Sequence, residues 1–127
     1  MNYNVRYSRE FKKSLKKCTK QGKNIKKLLD IVDRLVYKEQ LESKFKNHRL
    51  KDDGYFIDCY ECHIEPDWLL IYKYIENELV LLLVKTGSHS DLFWKSRQFY
   101  FFLHSKYTII KLVIKWKKNI QNTGNYY

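Results

Sequence analysis

Residues 60–74 read YECHIEPDWLLIYKY: two runs of aromatic, aliphatic and β-branched residues, interrupted at Glu65-Pro66-Asp67. Proline has no N–H to give to a sheet ladder, and an aspartate beside it favours a turn. The stretch therefore predicts two antiparallel strands joined by a tight link. The first begins upstream, in YFIDCYECHI at 55–64, after the KDDG turn signal; the second is WLLIYKY at 68–74. Glu76-Asn77-Glu78 breaks the pattern again before LVLLLVKT at 79–86, a third strand. Three strands with short links make an antiparallel meander, and their long apolar runs require a cover on at least one face.

The cover lies upstream. After a short extended opening at 2–7, Ser8 suits a helix N-cap, with Glu10 in the first turn. Phe11, Leu15 and Cys18 recur at helical spacing, with Lys12, Lys13, Lys16 and Lys17 on the remaining surface. Gly22 ends that pattern. A second helix is predicted from about Lys23 to Tyr37, with Ile25, Leu28, Leu29, Val32, Leu35 and Val36 as its apolar stripe. The short link makes the two helices antiparallel neighbours. The fold class is thus α+β, in the order β-α-α-β-β-β, followed by a helix start at Ser90-Asp91. Residues 1–93 form the domain. Residues 94–127 form a basic, aromatic C-terminal extension in which Ile109, Leu112, Val113 and Trp116 would share one helical face, with strand pairing as the alternative.

A length of 127 residues with 44% hydrophobic side chains suits one compact domain and excludes wholesale disorder. Three cysteines, an odd number, argue against a disulfide-stapled secreted scaffold. No charged-then-apolar leader opens the chain and no run of eighteen apolar residues occurs, so a cytoplasmic location without a membrane span is expected. The formal net charge of +11 points to a polyanionic partner. From Arg6 to Lys27 there are ten Lys or Arg and one acid, and after Asp91 seven more and no acid. A solvated helix face would explain the first cluster equally well.

The meander makes a chemical prediction. Its first and third strands run in the same direction, so their C-terminal ends lie on one side of the sheet. His63 ends the first, Asp67 lies in the turn that follows, and His89 follows the third in TGSHSDLF at 86–93. His63, Asp67 and His89 are therefore expected as neighbours, and His48 in KNHRLKDD can reach the same edge, flanked by Arg49 and Lys51. Cleaving RNA through its own 2′-hydroxyl needs one proton removed, one supplied to the leaving 5′-oxygen, and cations for the charge on phosphorus. Imidazoles and carboxylates among lysines and arginines provide that set. Taken singly, each histidine is more often an ordinary surface residue, and Asp67 often merely shapes a turn; the convergence is what raises the catalytic reading.

Metal binding ranks lower. Three histidines and an aspartate could ligate zinc, but no compact ligand spacing is present. Cys59-x-x-Cys62 lies in a predicted strand, where residues three apart face opposite sides, so buried inert thiols explain it better. Most tyrosines of the strands pack the sheet. Phe93 is the best candidate to stack on a base, against a rival role as an apolar lock seating the next helix.

YSREFKKSLKK at 7–17, KNHRLKDD at 46–53, YECHIEPDWLLIYKY at 60–74 and TGSHSDLF at 86–93 together resemble the YafQ branch of the RelE/ParE toxins of bacterial type II toxin–antitoxin modules. The resemblance spans about residues 3–93. It implies a compact RelE-like fold of two helices on an antiparallel sheet. It also implies a ribosome-dependent endoribonuclease, an mRNA interferase that inhibits translation and leaves 2′,3′-cyclic phosphate and 5′-hydroxyl ends without a metal cofactor. The family's active-site residues fall on His48, His63, Asp67 and His89, with the closing phenylalanine on Phe93. His48 and His63 would position the substrate and stabilise charge; Asp67 and His89 would act as general base and acid. Arg49, Lys51, Lys12, Lys13, Lys16 and Lys17 are expected on the substrate. The implied partners are ribosome, mRNA and a DinJ/RelB-like antitoxin, with DNA reached only through the antitoxin complex. Arg49 stands where the family often has proline, and 34 residues follow the usual end. Alternatives are a non-catalytic nucleic-acid-binding regulator, a gyrase-directed ParE-like toxin, for which the His/Asp set has no use, and a membrane-surface protein using the tail.

Overall fold

The computed structural model describes residues 2–51 and 56–93. The elements run β1 (Asn4–Tyr7), α1 (Arg9–Lys20), α2 (Ile25–Val36), a 3-10 turn (Ser43–Phe45), β2 (His48–Arg49), β3 (Tyr60–Glu65), β4 (Trp68–Ile75), a second 3-10 turn (Glu76–Glu78) and β5 (Val80–Gly87). A helical segment over 89–93 follows. The five strands form one sheet in the order β1-β5-β4-β3-β2. It is antiparallel from β2 to β5; β1 pairs in parallel with β5, a partner the sequence pattern does not indicate.

Local chemistry sets the helix ends. Ser8 Oγ accepts the Phe11 N–H (3.0 Å) and donates to the Val84 carbonyl (2.6 Å), so one hydroxyl caps α1 and ties it to β5. Asn24, rather than Lys23, starts α2, its side chain accepting the Lys26 N–H. The stripe of α2 also differs from the expected one. Leu29 is 53% exposed, while Ile31 is buried with Leu28, Val32 and Leu35. Residues two positions apart lie on opposite sides of a helix turn, and here the sheet takes the Ile31 side.

The main core lies between the helices and one face of the sheet. Phe11 and Cys18 of α1 and Leu28 and Leu35 of α2 pack on Cys62, Ile64, Trp68, Leu70, Tyr72, Leu81 and Leu83. A smaller cluster of Phe56, Cys59, Leu69, Ile71 and Leu92 occupies the opposite face. The first strand of the meander is shorter than its apolar pattern suggests: Phe56–Asp58 bend and turn, and pairing starts at Tyr60. Asp58 sits at φ +55°, which ends an extended run.

Two register shifts re-aim side chains. Between β3 and β4, His63 opposes Leu69 and Glu65 opposes Trp68, so Ile64 is an extra residue. Between β4 and β5, Ile71 opposes Lys85 and Tyr72 opposes Leu83, so Val84 is extra. A bulge reverses the alternation beyond it. Leu81 and Leu83 therefore face the helices, yet Lys85 shares the opposite face with Ile71. The helix cap completes the second bulge, since Ser8 takes the Val84 carbonyl. Residues 94–127, including His104 and the expected C-terminal helix or strand, lie outside the described residues.

Candidate active site

Pairing register assembles the site on the face away from the helices. One cross-strand row runs His48, Glu61, Ile71, Lys85, and the next runs His63, Leu69, Gly87. Opposed residues in neighbouring strands share a face, so three distant segments deliver His48, Glu61, His63 and Lys85 to one surface. Chain direction adds the rest. Asp67 stands in the turn after β3, and His89 two residues beyond Gly87.

The start of β4 and the end of β5 are locked together beneath this turn. Fully buried Trp68 donates from Nε1 to Thr86 Oγ1 (3.0 Å), and Thr86 Oγ1 donates to the Leu69 carbonyl (2.7 Å). The Thr86 N–H reaches Ser14 Oγ of α1 (3.1 Å). Asp67 and His89 thus hang from strand ends whose spacing is fixed by a satisfied, buried network. Gly87, at φ +149°, leaves room where a Cβ would meet Asp91 Cβ at 3.2 Å. Ser88 then opens the helical segment: Ser88 Oγ accepts the Asp91 N–H (3.2 Å), and Asp91 Oδ2 accepts the Ser88 N–H (3.3 Å). The helix start lies two residues earlier than Ser90-Asp91, because a reciprocal cap forms at Ser88.

His63 and His89 meet with ring centroids 5.5 Å apart in an edge-to-face arrangement. Asp67 Oδ1 accepts from His89 Nδ1 (2.7 Å) and from the His89 backbone N–H (3.1 Å). A carboxylate oxygen only accepts, so His89 Nδ1 carries the proton of this bond. These bonds hold the Asp67 carboxyl below the usual aspartate range, the side-chain bond from His89 contributing most. Glu61, only 5% exposed, lies between the other two histidines: Oε1 is 3.3 Å from His63 Nε2 and Oε2 is 3.8 Å from His48 Nε2. His48 Nδ1 donates to the Lys46 carbonyl (2.6 Å).

The structure brings His63, Asp67 and His89 together and links His48 to them through Glu61. Glu61 was missed by sequence reasoning, as was Lys85. Alternation carried a signal for the first, since residues 61 and 63 share a strand face. Nothing in the sequence marks the bulge that turns Lys85 to that face. Among the expected substrate contacts, Lys12, Lys13 and Lys16 are exposed on α1. Lys17 is bound to Asp91 Oδ1 (2.8 Å), and Arg49 to Asp58 Oδ1 (2.6 Å). Lys51 is exposed beside the undescribed residues 52–55. Phe93 stands one helical turn beyond His89, half-buried and edge-on to Phe56 (5.9 Å), with its ring centroid 6.5 Å from that of His89. Cys59 and Cys62 lie in different core clusters on opposite faces, and burial pushes the Cys62 thiol up to about 12. They make neither a pair nor a nucleophile.

Comparison with known proteins places this arrangement. The profile of the family described as "Bacterial toxin of type II toxin-antitoxin system, YafQ" matches residues 3–94. An mRNA interferase toxin YafQ of Escherichia coli (strain B / BL21-DE3) is 34% identical over 92 residues, 70% of this chain and 94% of the relative. A metal-bound toxin from Helicobacter pylori is 41% identical with a TM-score of 0.66, covering 73% of this chain and 100% of its own. The toxin in the E. coli DinJ-YafQ toxin-antitoxin complex is 31% identical with a TM-score of 0.64, covering 73% and 99%.

Proposed function

The chain belongs to the YafQ family of bacterial type II toxin–antitoxin toxins, and from that premise we propose that it is an endoribonuclease that cuts translated mRNA on the ribosome. Residues 1–93 are the toxin domain and 94–127 an extension. The observation that carries the reading is the meeting of His63 and His89 from two strand ends, each beside a carboxylate.

The reaction breaks the P–O5′ bond as the 2′-oxygen forms a bond to phosphorus. One proton leaves the 2′-hydroxyl and one joins the departing 5′-oxygen, giving a 2′,3′-cyclic phosphate and a 5′-hydroxyl. His89 Nε2, the nitrogen not bonded to Asp67, exchanges the proton at the 5′-oxygen. Asp67 is a poor base, because its proton affinity is depressed; its role is to orient the ring and offset the imidazolium charge. His63 beside Glu61 receives the 2′-proton, and His48 holds the substrate on the far side of Glu61. Lys85 supplies a cation on the same sheet face, and exposed Lys12, Lys13 and Lys16 follow RNA phosphates. No step asks for a metal.

The antitoxin is a DinJ-like protein, as in the E. coli complex, and operator DNA is reached through it. Among the described residues no helix is long and apolar enough to cross a membrane, and the proposed reaction belongs in the cytoplasm, where ribosomes translate.

The test is cleavage of ribosome-bound mRNA with a zinc-selective chelator that spares magnesium, wild type against His89→Gln. The wild type yields cyclic-phosphate ends, and the variant cuts about 10²–10⁴-fold more slowly with an unchanged melting curve. Equal rates would sink the assignment.

A further inference from the structure

We infer that the groove between α2, the 3-10 turn at Ser43–Phe45 and the end of β3 is a subsite for single-stranded RNA. It holds a nucleotide beside the bond that is cut, with the base on Phe45 and phosphates on Lys44 and Lys46. That the bound strand is the one being cut rests on the function proposed above; that the groove takes single-stranded RNA does not. The groove has a volume of about 530 Å³, within the roughly 300–1,000 Å³ of sites that hold small ligands. Strand pairing explains why it exists. β2 meets β3 only at Glu61 and Tyr60, so past Glu61 no described strand flanks β3 on that side. The 3-10 turn packs there instead. His63 lines the space that remains, as well as the active site.

The lining has two chemistries. Ile31, Phe45, Ile64 and Pro66 supply apolar surface, while Lys27, Arg34, Lys44 and Lys46 outnumber Asp30 and Glu65. Such a lining suits a ligand with a flat, apolar-faced body and negative charge along its rim, which describes a nucleotide. The cations are not equivalent. Arg34 is held by Glu39 and Glu42, and Lys27 Nζ stands 3.7 Å from Glu65 Oε2. Lys44 and Lys46 are exposed and make no salt bridge with another described residue. Lys44 Nζ lies over the Phe45 ring, 5.1 Å from its centroid, and the Arg34 guanidinium lies at 5.9 Å. A cation–π contact at an exposed site is weak. Lys44 can therefore leave the ring for a phosphate and uncover it for a base, whereas Arg34 stays with its two carboxylates. Lys46, at φ +46°, ends the 3-10 turn, and its carbonyl accepts from His48 Nδ1 (2.6 Å). One residue thus orients His48 and carries an ammonium of the groove.

An acidic peptide would also meet these lysines. RNA is favoured by continuity, because His63 belongs both to the groove and to the place where the phosphate is cut, so a strand bound at one continues into the other. Stacking on Phe45 tolerates every base, and the groove therefore adds affinity and placement rather than sequence preference. Binding of this kind is made equally before and at the transition state. It should appear in the half-saturating concentration and not in the saturated rate.

The experiment is fluorescence titration of the full chain with a short, dye-labelled single-stranded 2′-O-methyl RNA, which presents bases and phosphates but no free 2′-hydroxyl. Phe45→Leu, which keeps an apolar wall without a ring, should bind about 5-fold or more weakly. Lys44→Gln and Lys46→Gln should each reduce the slope of log affinity against log salt by about 0.7. Lys20→Gln, which removes the same charge at the end of α1, should leave that slope unchanged. On ribosome-bound mRNA the half-saturating toxin concentration should rise in the three groove variants, with the saturated rate within a few-fold of the wild type. Melting curves check folding; the two lysine variants, at exposed positions, keep the test valid if Phe45→Leu unfolds. Wild-type affinity and slope in all three groove variants would overturn the subsite, as would an equal fall in slope with Lys20→Gln. Poly-glutamate bound more tightly than the RNA, and lost in Phe45→Leu, would make this a peptide groove and overturn it too. Intact cleavage with unchanged RNA binding in the groove variants removes this inference and leaves the proposed function standing; groove-dependent RNA binding by a protein that never cleaves does the reverse.

Discussion

The two faces of the β3–β5 sheet are built from alternate residues of the same three strands, and they follow different rules. The helix-covered face holds Cys62, Ile64, Trp68, Leu70, Tyr72, Leu81 and Leu83 against α1 and α2. Each is there because it is apolar, and many sequences of similar volume would serve. The open face holds Glu61, His63, Lys85 and Gly87 around a small apolar patch, with His89 and Asp67 at its rim. Those residues are there because pairing register and two bulges put them there. One face is specified by composition, the other by position. Stability and chemistry should therefore separate by face.

The largest effect that could break this separation is a core truncation. Leu35 of α2 is 1% exposed, and Leu35→Ala should destabilise by about 2–5 kcal/mol through lost transfer energy and a residual cavity. Denaturant titration reads that loss. Cleavage per folded molecule should stay within a few-fold of the wild type; a hundredfold drop would show that the faces are not independent. A sharper probe sits where they join. Thr86 turns its side chain toward the helices, but its hydroxyl locks Trp68 and Leu69 at the strand ends that carry Asp67 and His89. Thr86→Val keeps the shape and strands the Trp68 Nε1–H, a cost of about 1–3 kcal/mol. This substitution should lower both stability and cleavage per folded molecule, whereas Leu35→Ala lowers only the first.

The same contrast explains what the sequence discloses. Helical spacing in FKKSLKKC and the long apolar strands follow from burial, and burial leaves a periodic trace. Hence two helices and the meander are legible, as is the meeting of His63, Asp67 and His89, which needs only strand direction. Glu61 shares the face of His63 by simple alternation, but alternation does not mark it as part of the site; Lys85 was not found because its place depends on which residue is bulged, and Val84 looks like any apolar strand residue. The parallel β1–β5 pair left no trace either: β1 is four residues long, and its partner comes only after both helices and three further strands. Leu29 misled because hydrophobicity marks a candidate for burial, while the sheet decides which side of α2 is covered.

The smallest expected effect lies at the rim, where α1 meets the segment carrying His89. Lys17 Nζ is 2.8 Å from Asp91 Oδ1, and this contact holds the Asp91 carboxyl below its usual range. The folded state therefore binds that proton less readily than the unfolded chain. The resulting stability is complete above the ordinary aspartate value of about 4 and is lost as pH falls through the depressed value. Asp91→Asn retains an oxygen for the Ser88 N–H and removes only the charge facing Lys17. The variant should melt no more than about 5 °C below the wild type at pH 7, since exposed ion pairs contribute little. The gap should close as the pH falls through that depressed value, and it should narrow in high salt. A gap that persists at low pH would mean that the carboxylate acts through the Ser88 cap, which Asn weakens, and not through Lys17. Cleavage provides the second reading. If the faces are specified as argued, His89 is held by Asp67 and by the Trp68–Thr86 lock, so Asp91→Asn should leave the rate within a few-fold; a drop matching that of Thr86→Val would place part of the positioning on α1.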